Sequence, residues 1–451
     1  MSRIVIVGAG PAGIAAAEVL VAAGMDVTLL DENRQPGGQG YRRPIPGLSL
    51  DMSSLLGTEA GKYAALHRRF EALRGRLDYR PGTLVWAVEG TTLHVAREGR
   101  ATTVDYDALL LATGAMDRIA PCPGWTLPGV FTLGAAQVAL KDQGCLIGRR
   151  TVFLGSSPLL ALAAQQYRQL GGEVVAIADT TPFAAKLGAL PGMLRAPRTL
   201  LRGLAYLGGA LFAGSPVLNG VTPLAIEGDG RVEALRLRDA SGRERRFACD
   251  AVALGYGLKP ETQLAELAGA TLVYDRDFRL WLPKADAQGR AAPALYLAGD
   301  GMAIGGADAA EASGAVAADA ILSDVGRATT SPTRARQRLV RFRGFQRSLA
   351  RAFRWPVEQI RALPDDVTLC RCESVTIGEV RRAIAQELGP VEVNRVKAMT
   401  RCGMGRCQGR VCGPALQEVV AGATGGNGAS AGRLRAQAPV KPLALSVAEA
   451  P

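Results

Sequence analysis

Five of the eight cysteines, Cys370, Cys372, Cys402, Cys407 and Cys412, crowd one short stretch of the chain. In a reducing compartment such clustering points to metal rather than to disulfides. A Cys-x-Cys pair followed by a distant second pair presents four thiolates to one centre, which suits zinc or an iron–sulfur cluster. Gly403, Gly405 and Gly409 let the backbone wrap closely and donate N–H groups to sulfur. Residues 378–386 and 414–420 read as short helices flanking the loops, so Cys412 stands at a helix start, where the positive dipole end favours thiolate. Five thiols compete for four places. The expected ligands are Cys370, Cys372, Cys407 and Cys412, with Cys402 the alternative.

Glycine turns are the second chemical signal. Gly8-Ala9-Gly10-Pro11-Ala12-Gly13 fits the G-x-G-x-x-G pattern. The first glycine permits the tight turn, the second lets a pyrophosphate approach the backbone, and the third lets helix and strand pack closely. The helix start supplies free N–H groups and a positive dipole end for phosphate. Asp31 ends the next strand, where a carboxylate can accept ribose hydroxyls, and Glu32 follows it. A second loop, Gly155-Ser156-Ser157-Pro158-Leu159-Leu160, keeps only its first glycine, although Asp179 still ends its strand. Two of the three glycine roles are unfilled there, so that half is expected to be kept for its fold, with weak or no NAD(P)H binding.

No catalytic residue is expected. The two histidines, His67 and His94, sit in ordinary sequence, and no serine triad or carboxylate pair stands out. Residues 1–320 contain no Cys-x-x-Cys, which argues against a thiol–disulfide reductase, and Cys122, Cys145 and Cys249 read as structural.

These residues need particular elements to position them. Residues 4–7, 12–23 and 27–30 read as strand, helix and strand, and residues 151–154, 159–170 and 174–178 repeat the plan. Apolar runs at 106–112, 251–254 and 294–298 end in Thr113-Gly114, Gly255-Tyr256-Gly257 and Gly299-Asp300. The expected fold class is α/β: two interleaved Rossmann-like domains plus a small helical cysteine-rich domain. The expected divisions are 1–120 with 245–330 for a discontinuous nucleotide-binding domain, FAD-binding by its resemblance to disulfide-reductase-like flavoproteins, and 121–244 for a second NAD(P)-binding-like domain. A basic helical linker over 331–364, a cysteine-rich domain over 365–421 that resembles 2Fe–2S binding domains, and a disordered Gly/Ala/Pro-rich tail over 422–451 complete the plan. Arg334, Arg336, Arg338, Arg341, Arg343, Arg347, Arg351 and Arg354 occur with no acidic residue between them, and Leu339, Phe342, Leu349 and Phe353 mark an apolar stripe at helical spacing. That segment reads as a surface helix packed on the protein, or as a docking surface for an acidic partner. The net charge of +12 meets no nucleic-acid module. No run reaches the ~20 apolar residues of a membrane span. Residues 4–7 lead into a glycine loop rather than a cleavage site, so the expected location is cytoplasmic.

The motif order carries a resemblance. Ala298-Gly299-Asp300-Gly301, Ala112-Thr113-Gly114 and Pro36-Gly37-Gly38-Gln39 resemble the flavin-contacting segments of disulfide-reductase-like flavoproteins. Cys370-Arg371-Cys372-Glu373, the run from Thr400 to Cys412 and the stretch from Gly124 to Val130 resemble the large FAD-binding subunit of bacterial heteromeric amine and imino-acid dehydrogenases. That family includes the larger flavoprotein subunits of opine oxidase, hydrogen cyanide synthase and the hydroxyproline dehydrogenases. Its C-terminal module resembles the bacterioferritin-associated-ferredoxin-like 2Fe–2S domain.

The resemblance implies FAD at Gly8, Gly10, Pro11, Ala12, Gly13, Asp31, Glu32, Gly38, Gln39, Thr113, Gly114, Gly299 and Asp300, a site that holds ATP in some relatives. It also implies a 2Fe–2S cluster, an FMN at the junction with a catalytic subunit, and a partner. That partner is a D-amino-acid-oxidase-like flavoprotein β subunit, with a small ferredoxin-like third subunit in some assemblies. The implied function is electron transfer from flavin to cluster after oxidation of a C–N bond in an amino acid, imino acid or opine. The competing expectations are a stand-alone NAD(P)H:acceptor reductase and a scaffold with an inert zinc knot. One feature departs from the small ferredoxin-like proteins: their last pair is Cys-x-x-Cys, whereas four residues separate Cys407 from Cys412.

Overall fold

A computed structural model describes residues 2–444 except 213, 330, 387, 388 and 390, and also residue 447. The two largest sheets are parallel, save for the antiparallel edge pair of Arg290–Ala292 with Leu295–Leu297 in the first. In the first, strands run in the order Arg290–Ala292, Leu295–Leu297, Ala108–Leu111, Arg3–Val7, Asp26–Asp31 and Asp78–Pro81. Arg3–Val7 pairs in parallel with Asp26–Asp31 on one side and Ala108–Leu111 on the other. Ala108–Leu111 is buried throughout, as a central parallel strand covered on both faces must be. Helix Pro11–Ala22 leaves the glycine turn and packs on helix Ala307–Asp324. The approach is close enough that a Cβ on Gly314 would fall 2.0 Å from the Ala12 carbonyl oxygen.

The second sheet repeats the first, with parallel order Val217–Asn219, Glu173–Asp179, Arg150–Gly155, Ala251–Gly255 and Val130–Thr132. This corrects the expected return to the first domain at residue 245. Ala251–Gly255 lies beside Arg150–Gly155, with Thr151 opposite Ala251, just as Ala108–Leu111 lies beside Arg3–Val7. A strand buried on both faces has the same composition in either sheet, so its membership depends on pairing that composition does not record. The chain crosses between the domains on an antiparallel pair, Ala115–Asp117 against Leu258–Pro260.

Helix Thr333–Ala352 packs on Phe183–Met193 and Ala307–Asp324, burying Leu339, Phe345 and Ala352. Most of its arginines face outward, and Arg351 reaches Asp277 at 3.1 Å. The C-terminal module follows: hairpin Thr368–Cys370 and Val375–Thr376, then helices Ile377–Ala385, Val393–Thr400 and Gly413–Ala423. Thr376 and Glu379 form a reciprocal capping box that starts the first of these helices. The module shares one apolar core with the second domain through Trp125, Val375 and Leu416, and the Trp125 indole donates to the Thr368 carbonyl at 2.6 Å. Glu418, fully buried, is held by Arg279 at 2.8 Å and Arg361 at 3.4 Å.

The tail expected to be disordered is instead packed over its described part. Helix Gly413–Ala423 extends into it. Ala431 and Val440 are buried, Val440 donates its N–H to the Trp86 carbonyl, and Lys397 reaches Gln437 at 2.9 Å. Low complexity hides this because two apolar anchors and a few polar contacts suffice to hold an extended strap. Residues 445, 446 and 448–451 of that stretch lie outside the described residues.

Candidate functional site

A cleft of about 1020 Å³ runs between the two domains. Gly8, Gly10, Pro11, Ala12, Asp31, Glu32, Gly38, Gln39, Thr113, Gly114, Gly299 and Asp300 all line it. Gly13 lies beneath: a Cβ there would stand 1.9 Å from the Gly8 carbonyl oxygen, so its role is packing. Gly8 has a φ of +110°, a conformation that L side chains rarely adopt. Gly10 faces Gly38 across the cleft floor, and neither presents a side chain to a pyrophosphate.

Asp31 lines the cleft. Its carboxylate accepts the Ala9 N–H at 2.6 Å and the Asn33 N–H at 2.7 Å, tying the glycine turn to the following loop. Burial pushes the Asp31 carboxyl up, against the lowering effect of these bonds. Glu32, half-exposed on the cleft wall, pairs with Lys441 of the tail. Asp300 accepts the Gly305 and Gly306 N–H groups at 2.7 and 3.0 Å, which fixes the turn before helix Ala307–Asp324. Burial raises the Asp300 carboxyl as well.

The second loop is occupied by the protein's own groups. The Ser157 hydroxyl accepts the Leu159 N–H at 3.2 Å, taking a helix-start donor that a phosphate would use. Asp179, buried, receives Lys186 at 2.6 Å and the Thr181 N–H at 2.8 Å. Its carboxylate is therefore committed within the protein. His67 lies in the core, with Nε2 2.9 Å from the Tyr41 carbonyl and its pKa lowered by burial to about 4, while His94 sits beside Glu89.

The structure gathers the five cysteines. The sulfurs of Cys370, Cys402 and Cys412, all buried, lie within 4.8 Å of one another. Cys407 bridges to both Cys412 and Cys372 through thiol contacts. Hydrogen bonds from Cys402 and Cys412, joined by the N–H groups of Gly403 and Glu373, hold the Cys370 thiol far below its usual pKa. Contact with Cys412 and the N–H groups of Val411 and Gly409 lower Cys407 to about 5. A pocket of converging sulfurs fed by backbone N–H donors fits a thiolate-held cluster. Cys402, the expected alternative, is nearer to Cys370 and Cys412 than spacing alone conveys.

Sequence reasoning missed the groups joining the two sites. Arg410, between Cys407 and Cys412, lines the cleft and pairs with Glu261 at 2.5 Å. Lys259 sits nearby, drawn below its ordinary pKa by burial, with Glu261 opposing that shift. An arginine between two cysteines has no spacing signal of its own, and Glu261 is far away along the chain.

Comparison with known proteins fits this geometry. The pyridine nucleotide-disulphide oxidoreductase profile matches residues 2–191, and the BFD-like [2Fe-2S] binding domain matches residues 368–421. The A-type subunit of opine oxidase from Rhizobium meliloti is 37% identical over 98% of this chain and 86% of its own length. The chain belongs to the family of opine oxidase A-type subunits. Within that family, hydrogen cyanide synthase subunit HcnB of Pseudomonas aeruginosa is 34% identical over 98% of this chain and 97% of its own. Among solved folds, L-proline dehydrogenase from P. horikoshii superposes with a TM-score of 0.74 at 20% identity, covering 100% of this chain and 79% of that one. T. acidophilum thioredoxin reductase gives 0.52 at 20% identity over 72% of this chain and 99% of its own. The family is one of oxidoreductases; its N-terminal part implies a flavin and its C-terminal part a 2Fe–2S cluster. No helix among the described residues is long and apolar enough to cross a membrane.

Proposed function

We propose that this chain is the electron-transfer subunit of a heteromeric flavin-dependent dehydrogenase or oxidase acting on the C–N bond of an amino acid, imino acid or opine. One observation carries the reading: Arg410 and Val411, inside the Cys407–Cys412 loop, line the cleft that holds the first glycine turn. Two redox sites in one chain thus share a wall. A flavin bound there supplies two-electron chemistry and a 2Fe–2S cluster one-electron chemistry. The chain's own residues bind and orient. Gly8 and Gly10 open the floor for pyrophosphate, Asp31 and Glu32 take the ribose, Asp300 fixes the loop beside the ring site, and Gly13 keeps the helix close. FAD is the expected occupant, with ATP the alternative in the same cradle. Cys370, Cys372, Cys407 and Cys412 are the proposed cluster ligands.

The relatives' names as subunits of opine oxidase and hydrogen cyanide synthase support a partner that supplies the acid–base chemistry: a D-amino-acid-oxidase-like β subunit, with FMN at the junction and, in some assemblies, a small ferredoxin-like third chain. Helices Phe183–Met193 and Pro197–Phe212 offer a surface for it. Leu187, Leu194, Leu201 and Leu211 are exposed there, Leu201 at 64%, and Phe212 at 96%. Apolar patches of this kind mark interaction sites. The proposed location is the cytoplasm, where thiols stay reduced. The test is co-expression with such a partner. Amine-dependent dye reduction is expected from the complex and not from this chain alone; amine oxidation by the isolated chain would overturn the assignment.

A further inference from the structure

The cysteine loop and the nucleotide cleft could have met through apolar side chains alone. Instead they meet through a desolvated ion pair. Arg410 is 7% exposed, and its guanidinium grips Glu261 as a fork, Nε to Oε2 at 2.5 Å and Nη2 to Oε1 at 3.2 Å. Such two-point pairing fixes orientation as well as distance. Both ends are anchored. The Glu261 N–H donates to the Gly114 carbonyl at 3.0 Å, and the Glu261 carbonyl accepts the Thr113 hydroxyl at 2.9 Å. Thr113 and Gly114 are cleft-lining residues. Arg410 lies between two of the clustered cysteines and also donates to the Cys407 carbonyl at 3.5 Å. A second strut runs alongside, from the Gln263 amide to the Gln408 carbonyl at 2.8 Å. Buried ion pairs are poor sources of stability compared with apolar packing, because desolvation cancels much of their attraction. What this pair supplies is a fixed register between two loops.

We propose that Arg410 and Glu261 are positioning residues that lock the cysteine loop against the Thr113-Gly114 turn and thereby set the rate at which electrons cross from the nucleotide cleft to the cluster. The inference rests on the electron-transfer reading and deepens it. Neither residue touches the cofactors' reacting atoms in this role. Glu261 holds a turn that lines the cleft, and Arg410 sits in the loop between Cys407 and Cys412.

The test uses the full-length chain carrying flavin and cluster. Flavin is reduced by a light pulse with a sacrificial donor, and the cluster's visible bands are followed in time. Glu261→Gln and Arg410→Met are expected to slow the flavin-to-cluster phase about tenfold or more, since small misplacements of reacting groups carry large rate penalties. Flavin and iron contents are expected to stay at the level of the unsubstituted chain. Arg410→Lys, which keeps the charge and loses the fork, is expected to fall between. Unchanged rates in Glu261→Gln and Arg410→Met at full cofactor content would overturn the proposal. So would loss of iron or flavin in both Glu261→Gln and Arg410→Lys, which would mark the pair as a folding contact. Absence of flavin and iron from the unsubstituted chain would instead sink the electron-transfer reading on which the proposal stands.

Discussion

At the scale of single residues, the glycine turn is a set of atoms with no room to spare. Gly13→Ala places a methyl group 1.9 Å from the Gly8 carbonyl oxygen, so helix Pro11–Ala22 must shift away from strand Arg3–Val7. The expected result is loss of bound flavin and a destabilisation of about 1–3 kcal/mol, read by flavin absorbance after gel filtration and by denaturant melts. The thiols give a second residue-level prediction. Cys372→Ala is expected to lower iron content steeply, whereas Cys402→Ala is expected to leave it near normal; iron analysis of both variants decides between the ligand sets. The glycine and cysteine motifs were legible because their signals are short-range: glycines a few positions apart, a Cys-x-Cys pair, and three cysteines in the run from Cys402 to Cys412. The partners of these residues were not. Glu261 stands 149 residues from Arg410 and Lys441 stands 409 from Glu32, and no local pattern encodes such contacts.

At the scale of elements, the loop over residues 36–41 is pinned by helix Ala60–Leu73. His67 on that helix packs against Gly37 and reaches the Tyr41 carbonyl, and burial holds its pKa at about 4, below the ordinary 6.5. A folded-state pKa below the unfolded one means that the unfolded chain binds the proton more readily. The stability from neutral His67 is therefore present above about pH 6.5 and is lost as pH falls toward 4. Melting temperatures are expected to drop across that window, and His67→Gln is expected to remove part of the drop. The second nucleotide loop makes the opposite kind of element. Ser157 and Lys186 occupy the groups that a dinucleotide would need, so NADH is expected to leave the flavin oxidised in rapid mixing; fast bleaching would restore the stand-alone reductase reading. The weak glycine pattern is legible in the sequence, but only the folded chain brings Lys186 onto Asp179. Strand Ala251–Gly255 was visible as a buried strand, while its sheet was not, because burial on both faces erases the alternation that would assign a side.

At the scale of the whole molecule, three parts converge on one cleft: two Rossmann-like halves and a cysteine module, tied by a tail strap. Arg410 donates to the Val440 carbonyl and Lys441 pairs with Glu32, so the strap touches both the cluster loop and the nucleotide end of the cleft. Truncation after residue 432 removes the buried Val440 anchor and is expected to weaken flavin retention, measured by flavin release on dilution. The overall α/β plan was readable from repeated strand–helix–strand units, yet the strap was not, since its composition resembles that of disordered tails. The most direct measurement is the cofactor content of the chain purified without oxygen. About one flavin and about two irons per chain with broad visible iron–sulfur bands are expected, whereas protein that stays colourless and iron-free after anaerobic reconstitution with flavin and iron, or that carries zinc instead, would contradict the electron-transfer role.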